Sequence, residues 1–173
     1  MAEVRNVKIS LKVGGCSLDI ARKFLEDNCI AYKTSLNFIS FRINNFTYVY
    51  FKEPISNKFT NHINITKIPS IEKIEEAILK LKDLCPIQIL SQSVDNIIAT
   101  CSLDRPINLK EVINKKCFVQ TKYNPEQFPG LFIKVDGGTV ILFHSGKIVL
   151  VGFKQLQLID QALKQICVCT KNL

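Results

Sequence analysis

Apolar and polar residues alternate from Arg5 to Val13, with Val7, Ile9, Leu11 and Val13 on one side and Asn6, Lys8, Ser10 and Lys12 on the other. A period of two predicts a strand with one face in a core and the other in water. A second strand is predicted from Asp95 to Cys101, where Asn96 answers Asn6. Each strand is followed by a short helical stretch, Ser17–Asn28 with Ser17 as N-cap and Asn108–Lys115. Paired strand runs come next, FISFRI and FTYVYF in the first half and LFIKV and TVILF in the second. Between the latter two, Val135-Asp136-Gly137-Gly138 predicts a tight hairpin, because glycine accepts the positive φ of a primed turn. One more strand and a long helix close each half, over residues 62–66 and 70–84 and then over residues 147–151 and 155–166.

The two closing helices align at one constant displacement: Ile74, Ala77, Ile78 and Leu81 stand over Ile159, Ala162, Leu163 and Ile166. That spacing puts each set on one helical face, suited to covering a sheet. The chain is therefore predicted to be an α+β fold of two pseudo-symmetric repeats, residues 1–90 and 91–173. Together they would build one curved antiparallel sheet with helices on its convex face. The opposite face would carry Val49, Phe51, Ile98, Ile141, Phe143, Val149 and Val151. An antiparallel sheet can leave one side in water, but that side is ordinarily polar, and an apolar one signals a partner.

Composition narrows the partner. The 173 residues are 47% hydrophobic, which is ample for one domain or two small halves and excludes disorder. Apolar runs fall well short of the roughly 20 residues a spanning helix needs, and Met1–Arg5 lacks a signal-peptide core. The expected setting is soluble and intracellular, nuclear or cytosolic, with no membrane partner. Seven cysteines include no CxxC pair, and Cys167-Val-Cys169 does not match a zinc knuckle. Buried, reduced thiols are expected, and no metal or other cofactor. His62 and His144 sit near turns without paired carboxylates or a recognisable nucleophile, so no catalytic site is expected. The net charge of +8 favours polyanions.

Two phenylalanines add the remaining chemistry. Phe128 precedes Pro129-Gly130, and Phe143 precedes His144-Ser145-Gly146-Lys147, so an apolar wedge is predicted where each strand meets its loop. The stretches NIIATC, YNPEQFPGLF and LFHSGKIVLVGFK resemble NIV, YEPELFPGL and IFVSGKIVLTGAK of the C-terminal repeat of the TATA-box-binding protein family. The resemblance runs from 94 to about 168, and the first half shares it only weakly, through position and internal symmetry.

The resemblance implies a saddle that grips A·T-rich promoter duplex from the minor groove, where side chains mainly separate A·T from G·C. Phenylalanine wedges would unstack base steps and bend the duplex, for which this family is itself the standing example. Phe128 and Phe143 would be the wedges of the second half, answered by Leu36 and Phe51 in the first, since TYVYF lies over TVILF. Asn6 and Asn96 would meet the central base edges. Val149, Val151, Thr66 and Lys8 would line the groove contact, and Arg42, Lys134, Lys147 and Lys154 would hold phosphates.

Asn124, Glu126 and Gln127 stand where the family meets a cyclin-fold general factor of the TFIIB type, and a TFIIA-like factor is the second implied protein partner. Asn124 and Gln127 replace a glutamate and a leucine, which is expected to weaken the first contact by about 1 to 3 kcal/mol. Lys8 and Asn64 replace small apolar residues, and the first-half turn is lengthened over Lys52–Asn61. These departures keep a second class open, a module of the same fold that has left the TATA box and regulates transcription through altered protein partners.

Overall fold

The computed structural model describes residues 2–51 and 60–171, and these form two compact units, 6–95 and 1–5 with 96–173. Most of the lengthened turn expected at Lys52–Asn61 lies outside the described residues. The elements of the first unit are β1 (Glu3–Gly14), α1 (Leu18–Asp27), β2 (Tyr32–Thr34), β3 (Phe38–Ile43), β4 (Phe46–Phe51), β5 (Thr60–Ile68) and α2 (Ile74–Leu84), the last entered through a single 3-10 turn. Those of the second are β6 (Gln88–Ser102, whose residues 88–95 belong to the first unit), α3 (Leu109–Asn114), β7 (Gln120–Lys122), β8 (Gly130–Val135), β9 (Gly138–Phe143), β10 (Lys147–Phe153) and α4 (Leu156–Thr170).

Strand order is the same in both units. The first runs β2-β3-β4-β5-β1 and the second β7-β8-β9-β10-β6, all neighbours antiparallel. The α+β class and the internal repeat are thus as expected from the sequence.

Alternation decides which side is covered. Val7, Ile9, Leu11 and Val13 are fully buried, as are Ile63, Ile65 and Tyr48 on neighbouring strands, and they face the helices. Tyr48 fixes that side: its hydroxyl donates to the Ala77 carbonyl of α2 at 2.8 Å. In α2, Ile74, Ala77, Ile78 and Leu81 are all buried, and in α4 so are Ile159, Ala162 and Ile166, with Leu163 half-buried. Helix starts follow the capping rule: Ser17 Oγ accepts from the Ile20 N–H and Asn108 Oδ1 from the Lys110 N–H, both at 3.2 Å.

Several boundaries differ from the pattern for local reasons. Strand β6 begins at Gln88, before the predicted Asp95, because Gln88–Val94 lies largely exposed and shows no apolar alternation. Strands β2 and β7 were not predicted; three residues, mostly exposed, are too few to display a period. Helix α4 runs on to Thr170, whose buried hydroxyl donates to the Ile166 carbonyl at 2.8 Å. The β8–β9 loop is the two-residue Asp136-Gly137, but only Gly137 takes positive φ, so the fully primed turn does not form. The cysteines also depart from expectation. All seven are free, but only Cys16, Cys85 and Cys169 are buried, while Cys29, Cys117 and Cys167 are exposed because they fall in loops or on the outward side of α4.

One device recurs in both units. Asn6 Oδ1 accepts from the Lys67 N–H at 2.9 Å, and Asn96 Oδ1 accepts from the Gly152 N–H at 2.8 Å. Each bond spans an irregularity in strand register, between Val7 and Ile9 in one unit and between Leu150 and Phe153 in the other. Lys67 and Gly152 take positive φ there, 62° and 85°. The amide oxygen replaces the ladder partner that the extra residue lost.

The water side of the first unit is tied together by polar groups. Ser10 Oγ lies 2.7 Å from Asn64 Oδ1 and 2.5 Å from Asp95 Oδ2, and Lys8 Nζ reaches Asp95 at 3.2 Å. Partial burial works to raise the Asp95 carboxyl, but the Ser10 and Lys8 contacts outweigh it and hold it below its ordinary value.

Two outcomes follow from these geometries. Lys67→Gly should raise stability by about 0.5–1 kcal/mol, because the left-handed cost of a side chain exceeds the extra entropy of glycine. Gly152→Ala should lose about 1 kcal/mol through its backbone alone, since a β-carbon there meets its nearest atom at an ordinary 3.8 Å; thermal unfolding of both variants measures this. Asp95→Asn should cost about 1 kcal/mol at neutral pH. The wild-type contribution is full above the unfolded carboxyl value and is lost as pH falls through the lower folded one. Urea unfolding at a series of pH values should therefore show the two proteins converging in acid.

Candidate nucleic-acid interface

Cross-strand register arranges the uncovered side of each sheet into rows. In the second unit one row runs Thr100, Val149, Ile141, Phe132 and Lys122 across β6, β10, β9, β8 and β7. A neighbouring row carries Val151, Thr139 and Lys134. Ile98, Val149, Val151, Ile141 and Phe143 are all half-buried, so an apolar strip faces outward as the alternation predicted. A hollow of about 590 Å³ at the β7 end of this strip is lined by Lys122, Phe132, Lys134, Thr139 and Val151, among others.

The strip ends in an aromatic cluster. Phe128 and Phe143 meet edge-on with ring centroids 5.8 Å apart, and Phe128 also lies 5.1 Å from Phe132. Phe128 is 38% exposed. The loop before β8 presents it: the Asn124 carbonyl accepts from the N–H groups of both Gln127 and Phe128, at 3.1 and 2.9 Å. Asn124 therefore shapes the turn that aims the ring, while Glu126 and Gln127 lie exposed beside it. Gly130 makes room for that ring, because a β-carbon on it would come within 2.6 Å of Phe128 Cε1 and 2.8 Å of Ile141 Cγ2 and displace them.

The equivalent rows of the first unit differ in chemistry. Ser10, Asn64, Val49, Ser40 and Lys33 occupy the positions of Thr100 to Lys122, and Thr66, Thr47 and Arg42 those of Val151 to Lys134. Lys8 belongs to this side, but its ammonium is engaged by Asp95. Leu36 is 94% exposed in the loop between β2 and β3, whereas Phe51 packs against Phe38 at 6.2 Å. The structure thus brings Phe128 to Phe143 but does not bring Leu36 to Phe51.

Asn6 and Asn96 are half-buried, each with its oxygen committed to the bulge, which leaves the amide N–H groups as the side chain's donors. Arg42, Lys134, Lys147 and Lys154 are exposed, and Lys134 Nζ donates to Thr139 Oγ1 at 2.8 Å. Four positions escaped the sequence reading: Phe38, Ser10, Ser40 and Asp95. For Phe38 and Ser40 the signal was available in register: a two-residue turn at Asn44-Asn45 pairs Ile43 with Phe46, and counting outward puts Ser40 opposite Val49 and Phe38 opposite Phe51.

Among the described residues no cluster of His, Cys, Asp or Glu could hold a metal, and no helix is long and apolar enough to cross a membrane. His144 lies at a turn with its Nδ1 2.9 Å from the Ile107 carbonyl, a structural engagement.

The family model described as "Transcription factor TFIID (or TATA-binding protein, TBP)" matches residues 91–173. The TATA-box-binding protein of Pyrodictium occultum is 38% identical over 76 residues, 43% of this chain and 37% of the relative. That of Methanococcus vannielii is 34% identical over 119 residues, 64% of each. The chain thus spans less than two thirds of the length of the curated relatives it matches. A solved structure, Methanococcus jannaschii TBP, superposes with a TM-score of 0.79 at 27% identity, over 99% of both chains. Sequence likeness concentrated in the half that carries the aromatic cluster, and a shared fold through both halves, make this chain a member of the TATA-binding protein family.

Proposed function

We propose that the chain is a transcription initiation factor that binds A·T-rich duplex DNA from the minor groove and bends it by aromatic wedging. The observation that carries this reading is the half-exposed apolar strip of the second unit ending in the Phe128–Phe143 pair. A minor groove rich in A·T lacks the guanine amino group and accepts a smooth apolar surface, while G·C pairs add a donor that such a surface leaves unpaired. Rings at the end of the strip suit insertion between base steps, where unstacking is offset by the contacts that bending permits.

In this reading Val149, Val151 and Thr66 lie along the groove, and Asn6 and Asn96 donate to base acceptors. Arg42, Lys134, Lys147 and Lys154 hold phosphates, in keeping with the net charge of +8. Glu126 and Gln127, exposed beside the wedge loop, form the contact for a TFIIB-like factor, with a TFIIA-like factor as a further partner. The relatives named are archaeal, so they lend a nuclear location no support; the place of action is wherever the template is transcribed.

One observation favours a second reading. The first unit sets Asn64 where the second has Val149, and Ser10 joins it to the Asp95 carboxylate, which Lys8 also reaches; a groove-facing carboxylate repels phosphate. A module that engages proteins instead of DNA would tolerate that surface.

Binding to a 30-base-pair A·T-rich duplex, followed by fluorescence anisotropy, separates the two. The DNA reading predicts affinity that falls steeply with salt and a loss of at least tenfold in Phe128→Ala/Phe143→Ala at unchanged thermal stability. Equal affinity of wild type and double variant, or no binding at low salt, would refute it and leave the protein-interaction reading.

A further inference from the structure

The first unit lacks Phe128's counterpart at the aligned position, Leu36, yet it is not without a ring. Register places Phe38 directly opposite Phe51, in the relation that Gly130 bears to Phe143. A β-carbon built on Gly130 would enter the space of the Phe128 ring, 2.6 Å from its Cε1 and 3.2 Å from Cε1 of Phe143. A side chain rooted at that point therefore grows into the volume that the second unit fills from the loop. Phe38 is such a side chain, and its ring lies 6.2 Å from Phe51, close to the 5.8 Å between Phe128 and Phe143.

Loop length explains the exchange. Tyr32 pairs with Phe41, and in the second unit Thr121 pairs with Ile133, the equivalent of Phe41. Measured from these fixed pairs, the loop before β8 holds three more residues than the loop before β3. The longer loop has room to fold Phe128 back over Gly130. The shorter one, closed by the Ser35 N–H on the Phe38 carbonyl at 2.9 Å, carries Leu36 outward to 94% exposure.

We infer that Phe38, paired with Phe51, is the wedge ring of the first unit, and that Leu36 takes no part in unstacking; this rests on the minor-groove reading above. The ring has moved two positions along the chain and is now rooted in a strand instead of a loop. The glycine that the loop-borne ring requires is correspondingly absent from the first unit. Beside the strand-rooted ring, Ser40 stands where Phe132 backs Phe128.

The test uses A·T-rich duplexes carrying 2-aminopurine at either end of the bound element, so that unstacking at each end raises fluorescence separately. Phe38→Ala is expected to abolish the signal at one end and lower affinity at least fivefold, while Phe38→Tyr restores it and Leu36→Ala stays within twofold of wild type at both ends. Phe128→Ala should silence the opposite end. Should Phe38→Ala fail to fold, as read by thermal unfolding, Phe38→Leu takes its place, with a reduced signal at the same end. Loss of signal in Leu36→Ala, or a full signal in folded Phe38 variants while Phe128→Ala loses its own, would overturn the inference and leave the groove reading intact. If neither Phe38→Ala nor Phe128→Ala changes affinity or fluorescence, the groove reading fails and takes this one with it.

Discussion

Antiparallel register is the constraint on which everything else in this protein rests. Side chains alternate across a strand, so once Tyr48 is bonded to α2 and Leu11 lies under the helices, every second residue of the sheet is committed to the other side. Register then decides which of those residues become neighbours. Val149 meets Ile141 and Ile141 meets Phe132, so an apolar strip forms; Ser10 meets Asn64, so a polar patch forms. A slip by one residue in either sheet would send the core into water and the strip into the helices. The Asn6 and Asn96 side chains hold that register where an extra residue would disturb it.

The two units show how one topology can be kept while its surface changes. Strand order, the asparagine-held bulge and the helical face of α2 and α4 are common to both. These features belong to folding: each satisfies backbone groups or buries apolar area. The outward rows carry no such obligation, and there the units part, with Phe132 against Ser40 and Val149 against Asn64. Sequence likeness to TATA-binding proteins follows the same division, since the family model matches residues 91–173 while the solved relative superposes over 99% of the chain.

What could be read without coordinates was what repeats with a period. The β1 alternation, the helical face from Ile74 to Leu81 and the Ser17 cap each have a local signature, and each was found where it was expected. The edge strands β2 and β7 have none, being three residues long and largely exposed. The ring that packs against Phe51 escaped for a related reason. Sliding one half over the other puts Leu36 at the place of Phe128, but the loop before β3 is shorter than the loop before β8 and carries Leu36 outward, while the ring beside Phe51 is Phe38, rooted in the strand. Polar networks such as Ser10–Asp95–Lys8 join residues far apart in sequence and become visible only when the strands are paired.

Bending is the property that most directly joins the apolar strip to the proposed role, because wedging rings and a groove-following sheet both require it. The decisive measurement is resonance energy transfer between dyes at the two ends of a short A·T-rich duplex, titrated with the full chain. A minor-groove wedge protein shortens the end-to-end distance, so transfer should rise to saturation with bound protein and stay low for a G·C-rich duplex. Binding that leaves transfer unchanged would contradict the account.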